Sequence, residues 1–365
     1  MIHTAELTVF PSKALRLEYM QLEDTKLSQT GEYYNASLKE YGLEFTLKVL
    51  KKDNYTTFRL VCRLNLCKLV HPSDSITLIE QWEVPGVEQR FNDLALSLCP
   101  QMPTLSEWYA TRIDFSVNIH TPYVATYIKL LSKGNRTNHM QDWLDDNRNR
   151  GQKAGSLYLV GKAKHFKNRS VTVNAYDKLK QILDTKGMEA DVELQELAKD
   201  ILRFEIQCHS VKTDNIKKKH GMESKSLLEY LKPEIAYGVL DSYLSIFVGS
   251  ADYRRRSIAL EMIQASKYRQ KTKDKLVWIV EQVGKQHSAV YKVRDSYVTA
   301  RVAEGLTNKQ AREEFNSLLR RLNKLNINPV TISDNEKIDG IKKKDGLSSI
   351  YTLFLETIRE DDEEQ

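Results

Sequence analysis

Cysteine is scarce in this chain: Cys62, Cys67, Cys99 and Cys208 are the only four among 365 residues. Four cysteines do not make a disulfide framework at this length, and the Cys62/Cys67 spacing, with no second pair to match it, is not that of a zinc ribbon. They read as reduced core thiols. No apolar run reaches the roughly eighteen residues that a membrane-spanning helix needs. Met1-Ile2-His3-Thr4-Ala5-Glu6 also lacks a basic leader followed by an apolar block. The expectation is a cytoplasmic protein with no membrane partner. A Gly-rich phosphate loop of the G-x-x-x-x-G-K-Ser/Thr type is missing, so ATP hydrolysis is not indicated. Histidines do not cluster: His71, His120 and His165 lie near candidate strands, but each stands alone. A lone histidine is more often structural than a ligand. His71 is kept as an auxiliary ligand.

The chain is 41% apolar and 28% charged, which describes a protein with a real core and enough length for two domains. Its net charge of +6 is modest. The distribution says more. From Asn147 to Lys180 there are nine Lys or Arg against the single acid Asp177, an excess that can track a phosphate backbone or simply solubilise a surface.

Three segments alternate strictly between apolar and polar residues. They are Arg112-Ile113-Asp114-Phe115-Ser116, Val173-Asn174-Ala175-Tyr176-Asp177-Lys178 and Leu202-Arg203-Phe204-Glu205-Ile206. With period-two side chains, Arg112, Asp114 and Ser116 share one strand face; Asn174, Tyr176 and Lys178 share another, and Arg203, Glu205 and Gln207 a third. If the strands lie in one sheet, a carboxylate pair, a tyrosine and several cations converge. Such a set suits phosphate chemistry: carboxylates hold a hard divalent cation, Arg and Lys neutralise phosphate oxygens, and tyrosine can be a nucleophile. Solvated cross-strand pairs on an ordinary half-buried sheet have the same pattern.

In their order and separation these segments resemble the replication initiators of filamentous phages, the gene II family, and more loosely the rolling-circle initiators of small plasmids. The matching stretches are Thr111-Arg112-Ile113-Asp114, Ala175-Tyr176-Asp177-Lys178 and Leu202-Arg203-Phe204-Glu205, followed by Lys217-Lys218-Lys219-His220-Gly221. The match covers residues 1 to 225 best. It implies a metal-dependent site-specific DNA endonuclease and transesterase with Tyr176 as nucleophile and Lys178 beside it. Asp177, between them, is a plasmid-like departure from the phage spelling. No His-hydrophobe-His triplet is present, so the metal, Mg²⁺ or Mn²⁺, would rest mainly on Asp114 and Glu205. Arg112 and Arg203 would orient the carboxylates or the substrate phosphate, and Lys162, Lys164, Lys167 and Arg169 would hold the DNA backbone. The partner implied is origin DNA, single-stranded or supercoiled, then host helicase and polymerase; self-association stays open. A non-catalytic DNA-binding regulator and a conjugative relaxase are the alternatives.

The spacing predicts an α+β fold, a largely antiparallel sheet with flanking helices over 1–222, then a mainly helical domain over 223–356. Leu43–Val49 with Phe58–Leu64 reads as one hairpin and Ser156–Val160 with Val171–Tyr176 as a second, joined by the basic turn 162–169. Helices are expected over about 75–98, interrupted near Pro85-Gly86, and over 121–131 and 192–200. Thr307-Asn308-Lys309-Gln310 has capping-box spacing and opens a helix striped with Phe315, Leu318, Leu319, Leu322 and Leu325, which leaves Arg320, Arg321 and Lys324 outside the stripe. With 298–304 before it, the segment to 325 reads as a helix-turn-helix or an ordinary helix pair. Residues 357–365, ending in Glu360-Asp361-Asp362-Glu363-Glu364, are expected to be a disordered acidic tail.

Overall fold

Among the described residues, ten antiparallel strands form one sheet in the computed structural model, in the order β2-β3-β4-β5-β1-β6-β10-β9-β8-β7. The strands are β1 (Ile2–Val9), β2 (Lys26–Leu27), β3 (Tyr33–Leu38), β4 (Leu43–Lys52), β5 (Tyr55–Asn65), β6 (Tyr109–His120), β7 (Met140–Asp142), β8 (Ser156–Lys162), β9 (Arg169–Asp177) and β10 (Ile201–His209). The structure describes every residue except 23–25, 28–32, 53–54, 73–75, 137–139, 143–155, 163–168, 187–190, 285–288, 343–345 and 364–365. For 26–27, 51–52, 55, 140–142, 156–162, 169, 185–186 and 360–363 it describes the backbone alone.

The helices are α1 (Lys13–Met20), α2 (Leu66–Val70), α3 (Val84–Leu98), α4 (Val124–Ser132), α5 (Lys178–Lys186), α6 (Val192–Ala198) and α7 (Ser210–His220), then α8 (Leu227–Tyr230), α9 (Pro233–Phe247), α10 (Arg256–Ala265), α11 (Gln270–Gly284), α12 (Val290–Ala303), α13 (Asn308–Lys324) and α14 (Ile350–Glu363). This is the expected α+β order: among the described residues after 222 the named elements are helices, with isolated β-bridges joining Tyr253 to Leu347 and Arg255 to Ile332.

The sheet is built twice from one plan. A first strand leads into a helix, and a meander then returns to pair its last strand with the first: β1, α1, β3, β4, β5 in one half and β6, α4, β8, β9, β10 in the other. The halves meet where β1 pairs β6, with Thr4 opposite Asp114, Ala5 opposite Ile113 and Glu6 opposite Arg112.

Alternation decides which face is core. Ala5, Leu7, Ile113, Phe115, Phe204 and Ile206 point to one face and are buried there. Helices α7, α9 and α14 pack on β6, and α4 packs on β8 and β9. Burying a side chain such as Phe204 stabilises the fold by roughly 1.5–3 kcal/mol. One continuous core therefore joins the sheet to α9, α11, α12, α13 and α14 across the expected boundary near 222. Gly134 helps: a Cβ there would run into the carbonyl oxygen of Phe247 at the end of α9, and the Asn135 amide donates to that same oxygen at 3.2 Å.

Two expected elements differ. The helix predicted from about 75 starts at Val84, because Pro85 suits a first helical turn and not an interior; residues 76–80 are non-helical. The acidic segment expected to be disordered continues α14 as far as Glu363, carried by the stripe Ile350, Phe354 and Ile358 against the core.

Candidate functional site

The opposite face of β6, β10 and β9 carries the polar residues in a grid fixed by register. Asp114, Gln207 and Thr172 form one row across the three strands, Ser116, Glu205 and Asn174 the next, and Asn118, Arg203 and Tyr176 the third. Asp114 and Glu205 are thus diagonal neighbours, as are Glu205 and Tyr176. Diagonal neighbours on a sheet are roughly 7–8 Å apart at Cα, within reach of long side chains. Asp114, Glu205, Arg112, Arg203 and Tyr176 all stand on this face, as the alternation predicts.

The face is not the solvated surface of an ordinary half-buried sheet. Asp114 is 2% exposed, Glu205 5% and Arg203 0%. Arg112 holds Asp114 by two bonds, Nε to Oδ1 at 2.7 Å and Nη2 to Oδ2 at 2.6 Å. Glu205 Oε1 accepts from Asn174 Nδ2 at 2.9 Å and from Gln207 Nε2 at 2.7 Å. Burial pushes the Asp114 carboxyl up, and the negative charge of Glu205 adds to it; the Arg112 guanidinium opposes both but leaves the carboxyl at about 7. Arg112 is the cation bonded to Asp114, whereas Glu205 is held by neutral side-chain amides. Nearby, Ser116 Oγ and Asn174 Oδ1 are buried with no hydrogen-bond partner among the described residues.

Arg203, expected to orient the carboxylates or the substrate phosphate, makes its described hydrogen bonds to other groups. It is fully enclosed, with Nε donating to Asn118 Oδ1 at 2.8 Å and Nη2 donating to the carbonyl of Ile76. Asn118 Nδ2 donates to the same carbonyl at 3.1 Å. Both side chains pin the segment before α3 over this end of the face. Ile76 then packs with Ile182, Leu194, Ala198 and Ile201, so α5 and α6 lie on the polar side of the sheet.

Lys178 does not extend the strand. Asp177 Oδ1 accepts the Lys180 amide at 3.1 Å, an N-cap that turns the chain from β9 into α5. The unusual Asp between Tyr176 and Lys178 thus has a local structural job. Lys178 is 4% exposed and its Nζ donates to Gln181 Oε1 at 3.1 Å. His71 is held by Glu83, Nε2 to Oε1 at 2.6 Å. Lys162 and Arg169 face each other in register at the end of the β8–β9 hairpin, their side chains outside the described residues, as are Lys164 and Lys167 entirely.

Sequence reasoning assigned no role to Ser116, Asn118, Asn174, Gln207 or His209. Continuing the alternation of β10 two steps past Gln207 reaches His209, opposite Arg112, whose Nε2 lies 3.3 Å from Thr172 Oγ1. Among the described residues no cluster of three or more His, Cys, Asp or Glu is arranged to hold a metal ion. A cation here would be held by Asp114 and Glu205 with neutral oxygens such as Ser116 Oγ and Asn174 Oδ1, a donor set that suits a hard divalent ion. No family model, curated protein or solved structure matches the chain, so the reading of this site comes from its own residues and their arrangement.

Proposed function

We propose that the chain is a DNA nicking and joining protein that starts rolling-circle replication of a phage or plasmid, the activity implied by its resemblance to the gene II initiators. The observation that carries the reading is the placement of Tyr176, Glu205 and Asp114 on one face of three adjacent strands. Tyr176 Oη attacks the scissile phosphorus and gives up its proton; the bond from phosphorus to the 3′ oxygen breaks, leaving a 5′-phosphotyrosine and a 3′ oxygen that takes a proton. The new ester conserves the phosphodiester energy, so rejoining by the reverse attack needs no nucleotide.

Tyrosine ordinarily titrates near 10, so attack at neutral pH needs positive charge close by. Lys178 follows Tyr176 by two residues and offsets the developing phenolate charge. Arg112 orients Asp114, while Arg203 fixes the segment that encloses the face. Mg²⁺ or Mn²⁺ held at Asp114 and Glu205 would polarise the phosphate and stabilise the leaving oxygen. No helix among the described residues is long and apolar enough to cross a membrane, and the proposed place of action is the host cytoplasm, on origin DNA.

The test is incubation of the protein with its own supercoiled circular genome and Mg²⁺, followed by digestion and mass spectrometry of the protein-linked 5′ end. Nicked circles with DNA on the Tyr176 peptide are expected, and Tyr176→Phe should bind the origin but not cleave it. Attachment at another tyrosine, or cleavage by the Phe variant, sinks the assignment.

A further inference from the structure

The duplicated plan leaves the first half of the sheet with a polar face of its own, continuous with the site because Arg63, Glu6, Arg112 and His209 form one row across β5, β1, β6 and β10. This half is open. Asn35, Ser37, Arg59 and Arg63 are exposed there, as are Phe10 at 65% and Tyr109 at 50%. Exposed aromatic rings on a sheet face need an account, since each leaves apolar area in water.

Their neighbours supply one. Tyr33 stands opposite Lys48, and Lys48 opposite Arg59, on the solvent face of β3, β4 and β5. Arg59 lies over the Phe10 ring, guanidinium carbon to centroid 5.7 Å, where the chain leaves β1. The row runs aromatic, cation, cation, aromatic over roughly 14 Å, three strand spacings, with no acid in it. Glu44 and Glu6 flank Arg63 in the parallel row that leads to Arg112. Tyr109 on β6, opposite Thr8, stands at a level between these two rows.

We propose that this face is a platform for single-stranded nucleic acid, with bases stacked on Phe10, Tyr33 and Tyr109 and phosphates held by Lys48 and Arg59. Flat rings on an open sheet need bases whose faces are free. In a duplex those faces are taken by neighbouring bases, whereas an unpaired strand offers them in succession. An acidic protein segment would satisfy the two cations but would leave the three rings without a role. The inference deepens the nicking reading: the platform would hold the strand that leads away from Tyr176.

The experiment measures binding of fluorescein-labelled oligothymidine to the full chain by anisotropy, beside the same probe annealed to oligodeoxyadenosine. Phe10→Ala, Tyr33→Ala and Tyr109→Ala should each weaken single-strand binding about 5- to 150-fold, the range for loss of one stacked base. The duplex should lose much less. Phe10→Tyr and Tyr33→Phe keep a ring and should bind as the parent does, which separates stacking from damage to the fold. Lys48→Gln with Arg59→Gln should lower the salt dependence of both probes.

Unchanged single-strand binding in the Ala variants overturns the platform, as does equal loss in Phe10→Tyr. Displacement of the oligonucleotide by polyglutamate at equal charge overturns it too, by showing a surface that reads charge alone. These outcomes are independent of cleavage. Intact binding losses without any tyrosine-linked product would overturn the nicking reading and leave the platform standing; a linked product with no binding losses would do the reverse.

Discussion

Arg112 reaches along its own strand to grip Asp114 through two donors on one edge of its guanidinium, at 2.7 and 2.6 Å. The two are two residues apart on β6, so alternation puts them on one face, and the planar guanidinium matches the carboxylate fork. Arg112 thus spends its donors on positioning a carboxylate. Arg112→Lys keeps the charge but offers a single point contact, and should reduce nicking roughly 10-fold while leaving origin affinity within about two-fold. Rate and affinity measured side by side decide it: equal losses in both would make Arg112 a DNA contact.

The carboxylates themselves allow a sharper test. Asp114→Asn and Glu205→Gln keep shape and remove anionic charge, so each should cut nicking by roughly 100-fold or more and shift the Mn²⁺ response to higher concentration. Removing one of two buried like charges also relieves repulsion. The thermal midpoint without metal should therefore hold or rise in Glu205→Gln, whereas Asp114→Asn leaves Arg112 without its partner and should lower it; Mn²⁺ should raise the midpoint of the parent more than that of either variant. Wild-type nicking in limiting Mn²⁺ by both would make these carboxylates structural.

Much of this site is legible in period-two spacing, because a strand face is a local property. Arg112, Asp114 and Ser116 share a face whatever the strand pairs with, and the same holds for Arg203, Glu205 and Gln207. Strand order is not local. That β10 sits between β6 and β9, setting Glu205 between Ser116 and Asn174, depends on the second half repeating the meander of the first. Burial of Arg203 depends on the Ile76 carbonyl, 127 residues away, for which no sequence pattern gives a signal. Lys178 illustrates a competing local rule: alternation continues through it, but the Asp177 cap turns the chain into α5 first.

The helix pair is legible for a similar reason. Thr307 and Gln310 make the expected reciprocal capping bonds, with Thr307 N donating to Gln310 Oε1 at 2.9 Å and Gln310 N to Thr307 Oγ1 at 3.3 Å. Glu314 on this helix joins three helices by accepting from Lys275 of α11 and from Arg301 Nε of α12 at 2.9 Å. Partial burial pushes its carboxyl up, but those hydrogen bonds outweigh the burial and hold it below its usual value of 4.5. A depressed folded value means stability present above the unfolded pKa and lost as pH falls through the folded one. Glu314→Gln should cost about 1 kcal/mol at pH 7 and nothing at pH 2, so the two melting curves should converge on acidification. A constant gap across that range would show that packing alone accounts for Glu314.

The proposed DNA path has two candidate surfaces, the basic hairpin and the C-terminal helices. Lys162 and Arg169 face each other in backbone register at the end of β8 and β9, with Lys164 and Lys167 between them in sequence, while Arg321 is engaged with Thr272 Oγ1 at 3.2 Å and lies over Tyr268, leaving Arg320 and Lys324 exposed on α13. Each phosphate neutralised by a cation releases about 0.9 counterion from duplex DNA. Neutralising the four hairpin residues together should weaken binding on every sequence and flatten the slope of log affinity against log salt by up to about 3.6, with origin preference kept. Replacing Arg320 and Lys324 should act the other way if α13 reads bases, lowering preference for the origin more than affinity for other sequences. An unchanged slope in the hairpin variant would move the DNA path off β8 and β9, and an unchanged preference in the α13 variant would reduce the helix pair to packing.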